Sequence, residues 1–150
     1  MVQNIILVII IQHLINSNKR RQNNLTNKVI YIQKINNDSF TEGLNIILDG
    51  KKIITKDNFL EVIEEKLQFP YPCNGSLDSF LDWMRDLSWI NEKKINLIIY
   101  DYKEFLNDNL EVKEIILDCF QVDILPFWEE DVKTTMVDGE TKEFNVYLVL

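Results

Sequence analysis

The sequence predicts an α/β domain in which a small, mainly parallel β-sheet is packed by helices. One observation is the order of elements from residue 44 onward, which runs strand, helix, helix, strand, helix, strand. Another is the uninterrupted apolar run at residues 95–100, which is typical of a strand covered on both faces. The chain has 150 residues, 46% of them hydrophobic and 27% charged. It can therefore bury one ordinary core without a disulfide or a metal.

The first strand and the first helix of this domain lie within residues 44–67. Residues 44–48 are predicted as a strand that ends at the turn dipeptide Asp49-Gly50. Asp57 is the predicted N-cap of the helix that follows, and Pro70 prevents that helix from continuing. The helix has apolar residues at helical spacing: Phe59, Leu60, Ile63 and Leu67.

A second helix follows the loop at residues 70–75. Its buried face is an apolar stripe spaced i, i+3, i+7 and i+10: Leu77, Phe80, Met84 and Leu87. Asp78, Asp82 and Asp86 are spaced i, i+4, i+8, so they line another face. Each like-charge pair at this spacing costs about 0.2–0.5 kcal/mol. Two interpretations stay open, a solvated face balanced by Arg85 or an anionic ridge that binds a cationic partner.

The remaining elements complete the α/β order. Residues 95–100 form the second predicted strand, residues 110–120 a helix with Ile115 among its inward side chains, and residues 144–150 the last strand. The tetrapeptide Val137-Asp138-Gly139-Glu140 predicts a hairpin turn before that strand.

Residues 1–43 are predicted to be an N-terminal extension, and residues 44–150 the main domain. The pattern of the extension favours two strands, at residues 5–11 and 29–32, joined by an Asn-rich stretch. A buried helix at residues 5–15 is the alternative, because periodicity does not distinguish the two for a short apolar run. The apolar run at residues 5–11 is too short to span a bilayer. It also lacks the preceding basic residues and following small-residue site of a secretory signal. We therefore expect a cytoplasmic protein.

Charge is distributed unevenly along the chain. Residues 1–37 carry +5, which leaves −13 on the remainder of a chain whose formal net charge is −8. Nucleic acids and anionic lipids are bound through lysine and arginine, so we expect neither as a partner. A negative surface instead accelerates encounter with a positively charged protein.

The sequence offers few groups for catalysis or for binding a metal or cofactor. Two cysteines and one histidine are too few for a disulfide framework or a zinc site. Four glycines leave little room for a phosphate-binding loop, and no hydrolase or dinucleotide motif is present. A Mg²⁺-dependent hydrolase using Asp78 and Asp82 is a weak alternative. We predict no enzymatic activity, no cofactor and no metal.

Residues 69–89, FPYPCNGSLDSFLDWMRDLSW, resemble the signature loop and helix of the barstar family of ribonuclease inhibitors. Residues 44–57, 95–105 and 144–150 are similar to other segments of that family, so the resemblance covers roughly two thirds of the chain. The matching residues of the signature are Phe69-Pro70, Leu77-Asp78-Ser79-Phe80, Asp82 and Asp86-Leu87-x-Trp89.

The resemblance implies a barstar-like fold with a three-stranded, mainly parallel sheet in residues 44–150. It also implies a cytoplasmic protein that blocks a cytotoxic ribonuclease stoichiometrically, by inserting an acidic helix and the preceding loop into the active site. By position, Asp82 takes the place of the substrate phosphate, Asp78 is a neighbouring contact, and Leu81 is the exposed side chain between them. The flanking contacts implied are Tyr71, Asn74, Gly75 and Arg85.

The chain departs from the family pattern mainly in the loop. The four changed positions are Pro72, Cys73, Asn74 and Ser76. Asn74 tolerates the left-handed conformation that a glycine would supply, and Ser76 is a suitable N-cap. Val122 stands where the family has an acidic residue, with Asp123 next to it. These departures keep an alternative open: a barstar-like immunity or interaction module for another basic partner or for a toxin that is not a ribonuclease.

Overall fold

A computed structural model of the chain describes residues 12, 26–36 and 38–150. Its described strands form one parallel sheet with the order β1-β4-β3-β2. The strands are β1 (Val29–Ile32), β2 (Leu44–Asp49), β3 (Lys94–Tyr100) and β4 (Glu143–Val149). The mixed α/β class and the parallel sheet are confirmed.

The predicted strand count is wrong by one, because the extension adds a strand to the sheet. The strand predicted at residues 29–32 is present as β1, and it pairs in parallel with β4, with Val29 opposite Val146. Residues 5–11, the other predicted strand, lie outside the described residues. The sheet edge at β4 is therefore covered by a segment from the beginning of the chain.

Hydrogen bonds anchor the segment that leads into β1. The Glu129 carboxylate accepts bonds from the backbone N–H groups of Thr26 and Asn27, at 3.0 and 2.8 Å, and from the Thr26 hydroxyl. Asn27 is buried; its amide donates to the Lys142 carbonyl at 2.8 Å and accepts from the Phe144 N–H at 3.1 Å. We call the contact between Glu129 and residues 26–27 the Glu129 clasp.

Within the described residues, each of the three longest helices begins at a side-chain cap. These helices are α1 (Lys56–Leu67), α2 (Leu77–Met84) and α3 (Leu110–Asp118). The predicted N-cap of α1, Asp57, is wrong: Thr55 caps the helix in a reciprocal capping box with Asn58, and Asp57 lies in the first turn. Ser76 caps α2 and Asn109 caps α3.

Two π-helical segments, Cys119–Ile124 and Phe127–Asp131, follow α3, and the short helix α4 (Val132–Thr135) comes next. A π-helix has hydrogen bonds between residues five apart and a wider turn than an α-helix, so it changes which side chains face the core. The predicted hairpin at residues 137–140 is wrong, because this turn joins α4 to β4 in a parallel sheet. Ile115, predicted to point inward, is exposed.

The core lies between the helices and one face of the sheet. Phe59 of α1 contacts Phe80 of α2 edge to face with ring centroids 5.4 Å apart, and Phe80 contacts Phe120 at 5.9 Å. Edge-to-face aromatic pairs add about 0.5–1.5 kcal/mol beyond the burial of their area. This aromatic chain fixes α2 between α1 and the first π-helical segment. No helix in the described part of the chain is long and apolar enough to cross a bilayer.

Candidate partner-binding surface

The loop at residues 70–76 is held in one conformation by its backbone and by α1. Asn74 and Gly75 both have positive φ angles, 50° and 78°, so the chain turns sharply just before α2. The Cys73 N–H donates to the Glu64 carboxylate of α1 at 2.6 Å. Ser76 then accepts a bond from the Ser79 N–H at 3.2 Å. The positive φ of Asn74 agrees with the expectation that it replaces a glycine.

Helix α2 buries one face and exposes two carboxylates. Phe80 and Met84 are fully buried, whereas Asp78 is exposed and the Asp82 side chain is 78% exposed. Arg85 lies 3.3 Å from Asp82 through Nη2, and its Nε donates to the Leu81 carbonyl at 3.2 Å. An exposed pair of this kind contributes little stability, so the fold makes little use of the Asp82 charge.

Asp86 and Leu81 differ from their neighbours on α2. The Asp86 carboxylate accepts a bond from the Ser88 N–H at 3.2 Å, so it closes the turn after the helix. Leu81, expected to be an exposed side chain between the two aspartates, is half-buried and packs against the core. The exposed acidic ridge of α2 is therefore formed by Asp78 and Asp82.

An aromatic cluster lies beside this ridge. Tyr71 is 70% exposed and stacks on Trp83, with ring centroids 6.2 Å apart and an interplanar angle of 25°. Trp83 also contacts Phe69 and Trp89, and the Trp89 indole N–H donates to the Leu67 carbonyl at 2.8 Å. The cluster thus presents one aromatic face to solvent while its inner members join α2 to the end of α1.

A shallow acidic groove separates the loop from α1. It has a volume of about 290 Å³, and its lining includes Asp57, Glu61 and Glu64 of α1 opposite Asn74 and Gly75. The close approach needs glycine at position 75, because a Cβ there would lie 3.3 Å from Asp57 Oδ1 on a backbone with positive φ. Asn74 and Gly75 therefore shape the surface through their backbone.

The first π-helical segment supplies a second acidic wall that the sequence interpretation missed. Helix α2 packs against this segment, and Cys119, the first residue of the segment, is buried with a pKa raised to about 11. Burial is the main cause of that shift, followed by the carboxylates of Asp123, Asp118 and Asp78. Asp118 ends α3 and Asp123 lies in the first π-helical segment. A π-helix has hydrogen bonds between residues five apart and a wider turn than an α-helix, so a search for a 3.6-residue period does not bring these two carboxylates together.

A larger groove runs from Asp82 to the α4 region. Its volume is about 440 Å³. Its lining is Asp82, Arg85, Val122, Asp123, Phe127, Asp131, Thr134, Thr135 and Met136. Five of these nine residues come from residues 127–136, within the segment between Pro126 and Phe144 for which the sequence allowed either added strands or a larger partner surface.

The cysteines do not add reactive groups to this surface. Cys73 is buried in the loop, and burial together with its contact to Glu64 raises its pKa to about 12. A thiol with so high a pKa is a poor nucleophile at neutral pH. Among the described residues, no cluster of His, Cys, Asp and Glu side chains is arranged to hold a metal ion.

The family model described as Barstar (barnase inhibitor) matches residues 44–148. The chain belongs to the barstar family. The resemblance found in residues 69–89 is thereby confirmed. Comparisons with curated proteins and with solved structures gave no match. The barstar match includes α2, its loop and both π-helical segments, whereas β1 precedes it.

Proposed function

We propose that this barstar-family protein is a stoichiometric inhibitor of a cytotoxic, barnase-type ribonuclease. The observation that carries the proposal is the pair of exposed carboxylates, Asp78 and Asp82, on a helix held rigid by Ser76 and by its aromatic packing. A ribonuclease active site binds phosphate anions through basic side chains. A carboxylate fixed on a helix competes for the same site without undergoing any reaction.

Asp82 has the position best suited to take the place of a phosphate. Its side chain is exposed and projects beside Arg85, which an incoming cluster of cations can displace because the Arg85 contact is a surface pair. Asp78 lies one turn earlier on the same helix. Two carboxylates one turn apart fit several basic groups at once, which favours charge-assisted hydrogen bonds over a single contact.

The loop and the aromatic cluster complete the surface that contacts the ribonuclease. Tyr71 is exposed and supported by Trp83, so it offers a rigid aromatic face to the base-binding side of the pocket. Asn74 and Gly75 bring the backbone close to the partner. An inhibitor of this kind acts on the ribonuclease before export, so a cytoplasmic location is part of the proposal.

The test is a titration of the protein into a barnase-class ribonuclease while RNA cleavage is followed. We expect activity to fall linearly to zero at one equivalent. The Asp82→Ala variant should bind with a Kd higher by tens-fold or more, since loss of one partner of a buried charge pair costs about 2–5 kcal/mol.

The matched control is Asp108→Ala, which removes the same charge from an exposed position outside both grooves. It should leave the Kd within about threefold of wild type, because only long-range attraction changes. Undiminished RNA cleavage at excess wild-type protein would contradict the proposal. A pull-down with the acidic surface as bait would then identify another basic partner, as the immunity or interaction alternative requires.

A further inference from the structure

We propose that the 440 Å³ groove between α2 and residues 127–136 receives a lysine or arginine side chain of the partner ribonuclease, from outside its catalytic centre. This inference rests on the proposed function, and it extends the binding surface beyond α2 and its loop. The occupant is defined by chemistry: a long aliphatic side chain that ends in a cation.

The charge of the groove selects a cation. Asp82, Asp123 and Asp131 contribute carboxylates to the lining, and among the described residues Arg85 is the one basic side chain in it. Arg85 is held on α2 by its bond to the Leu81 carbonyl and by its contact with Asp82. Within the described residues Asp123 forms no ion pair with a lysine or arginine. A carboxylate in a groove attracts a basic group of a partner more strongly than one on an open surface.

The apolar part of the lining selects a long side chain rather than a small cation. Val122 is 57% exposed and Met136 is 47% exposed, and Phe127 contributes a third apolar side chain to the lining. Lysine and arginine bury their methylene groups against apolar surface while the charged end reaches polar groups. Apolar residues and carboxylates in one groove match both parts of such a side chain.

The groove is already formed in the free protein, so binding does not have to order it. The indole N–H of Trp128, which is buried, donates to the Met84 carbonyl of α2 at 2.7 Å and fixes the far wall to the helix. The hydroxyls of Thr134 and Thr135 donate to the Asp131 carbonyl at 3.1 and 2.7 Å. A preorganised site retains binding energy that a flexible one loses to ordering.

The experiment compares two lysine substitutions at neighbouring positions. Met136→Lys puts a cation into the groove, whereas Val137→Lys puts one on a side chain that is 95% exposed and outside the groove lining. Both variants change the net charge equally, so long-range attraction to the ribonuclease is matched. Kd is measured by inhibition of RNA cleavage, and thermal melting confirms that both variants are folded.

We expect Met136→Lys to raise Kd by about tenfold or more and Val137→Lys by less than about threefold. Asp123→Asn, a second variant with almost unchanged shape, should weaken binding in the same direction. Its effect should be coupled, in double-mutant cycles, to alanine substitution of one basic residue of the ribonuclease. That basic residue is the occupant of the groove.

The outcomes separate the two proposals. If the wild type inhibits and Met136→Lys behaves like Val137→Lys, the groove inference is overturned and the proposed function stands. If Asp123→Asn is coupled to no basic residue of the ribonuclease, the groove inference is likewise overturned and the proposed function stands. If the wild type itself does not inhibit, the proposed function fails and the groove inference fails with it.

Discussion

Asp82 and Glu129 are both carboxylates, but the fold uses only one of them. Glu129 is half-buried and accepts hydrogen bonds from Thr26 and Asn27 in the Glu129 clasp. Asp82 is exposed and, among the described residues, its carboxylate contacts only the Arg85 guanidinium, at 3.3 Å. A carboxylate that already has donors within the chain stabilises the fold, whereas one without them is available to a partner.

The largest expected effect is that of Asp82→Ala, which should weaken binding strongly and leave the stability of the fold almost unchanged. Asp82→Ala should cost about 2–5 kcal/mol of binding to the ribonuclease and change the free energy of unfolding by less than about 0.5 kcal/mol. Urea unfolding and inhibition titrations on the same preparation measure both quantities. A loss of stability as large as the loss of affinity would remove the distinction between the two carboxylates.

Glu129 should show the opposite pattern. Glu129→Ala leaves the buried Asn27 N–H without its acceptor, so we expect a loss of about 1–3 kcal/mol in the free energy of unfolding. The Kd for the ribonuclease should stay within about threefold of wild type at temperatures where the variant is folded. Glu140→Ala, which breaks only an exposed pair with Lys93, is the control and should cost less than about 1 kcal/mol.

The pH dependence of stability sharpens the comparison. Burial by itself raises the pKa of Glu129, but the hydrogen bonds from Thr26 and Asn27 outweigh burial and lower it. Because the folded pKa is lowered, the stabilisation is complete above the unfolded value, about 4.3, and is lost as pH falls through the folded value. The stability difference between wild type and Glu129→Gln should therefore shrink between about pH 5 and pH 3. A difference that is constant over this range would show that the carboxylate charge is not what stabilises the clasp.

The smallest expected effect is on association kinetics. Raising ionic strength should slow association with the ribonuclease more than it speeds dissociation, because the acidic surface attracts the partner over a distance comparable to the Debye length. Asp82→Ala should flatten this salt dependence, and Glu129→Gln should flatten it less, because Glu129 lines neither groove of the proposed binding surface. Stopped-flow measurements at several salt concentrations give the salt dependence of the association rate, which should be steepest for wild type, intermediate for Glu129→Gln and flattest for Asp82→Ala.

The central part of the fold was accessible from the sequence because its signals are local. The apolar run at residues 95–100 and the stripe containing Phe80 and Met84 are strong periodic patterns, and the structure has β3 and α2 at these positions. The loop was also predictable in part: an asparagine was expected to adopt a left-handed conformation, and Asn74 has φ 50°.

Features that depend on distant residues were not accessible. Nothing near residue 29 indicates that its strand pairs with residue 146, and nothing near Glu129 indicates that it binds Thr26, 103 residues away. The N-cap of α1 is Thr55 rather than Asp57, because the capping box of Thr55 with Asn58 satisfies two backbone N–H groups at once. Asp123 lies in a π-helical segment and contributes to the acidic surface. The sequence was read with the α-helical period of 3.6 residues, which does not predict where the side chains of a π-helix point.

The place of β4 in the sheet has a consequence for the order of folding. Among the described strands β4 is the last along the chain, yet it lies between β1 and β3. During synthesis β2 and β3 can pair early, but β1 has no edge to join until β4 has left the ribosome. Pairing over so long a sequence separation is slow, so the nascent chain carries an unpaired β1 and a bare β3 edge until all of β4 has left the ribosome. Molecular chaperones that bind exposed strand edges would act on the protein during this interval.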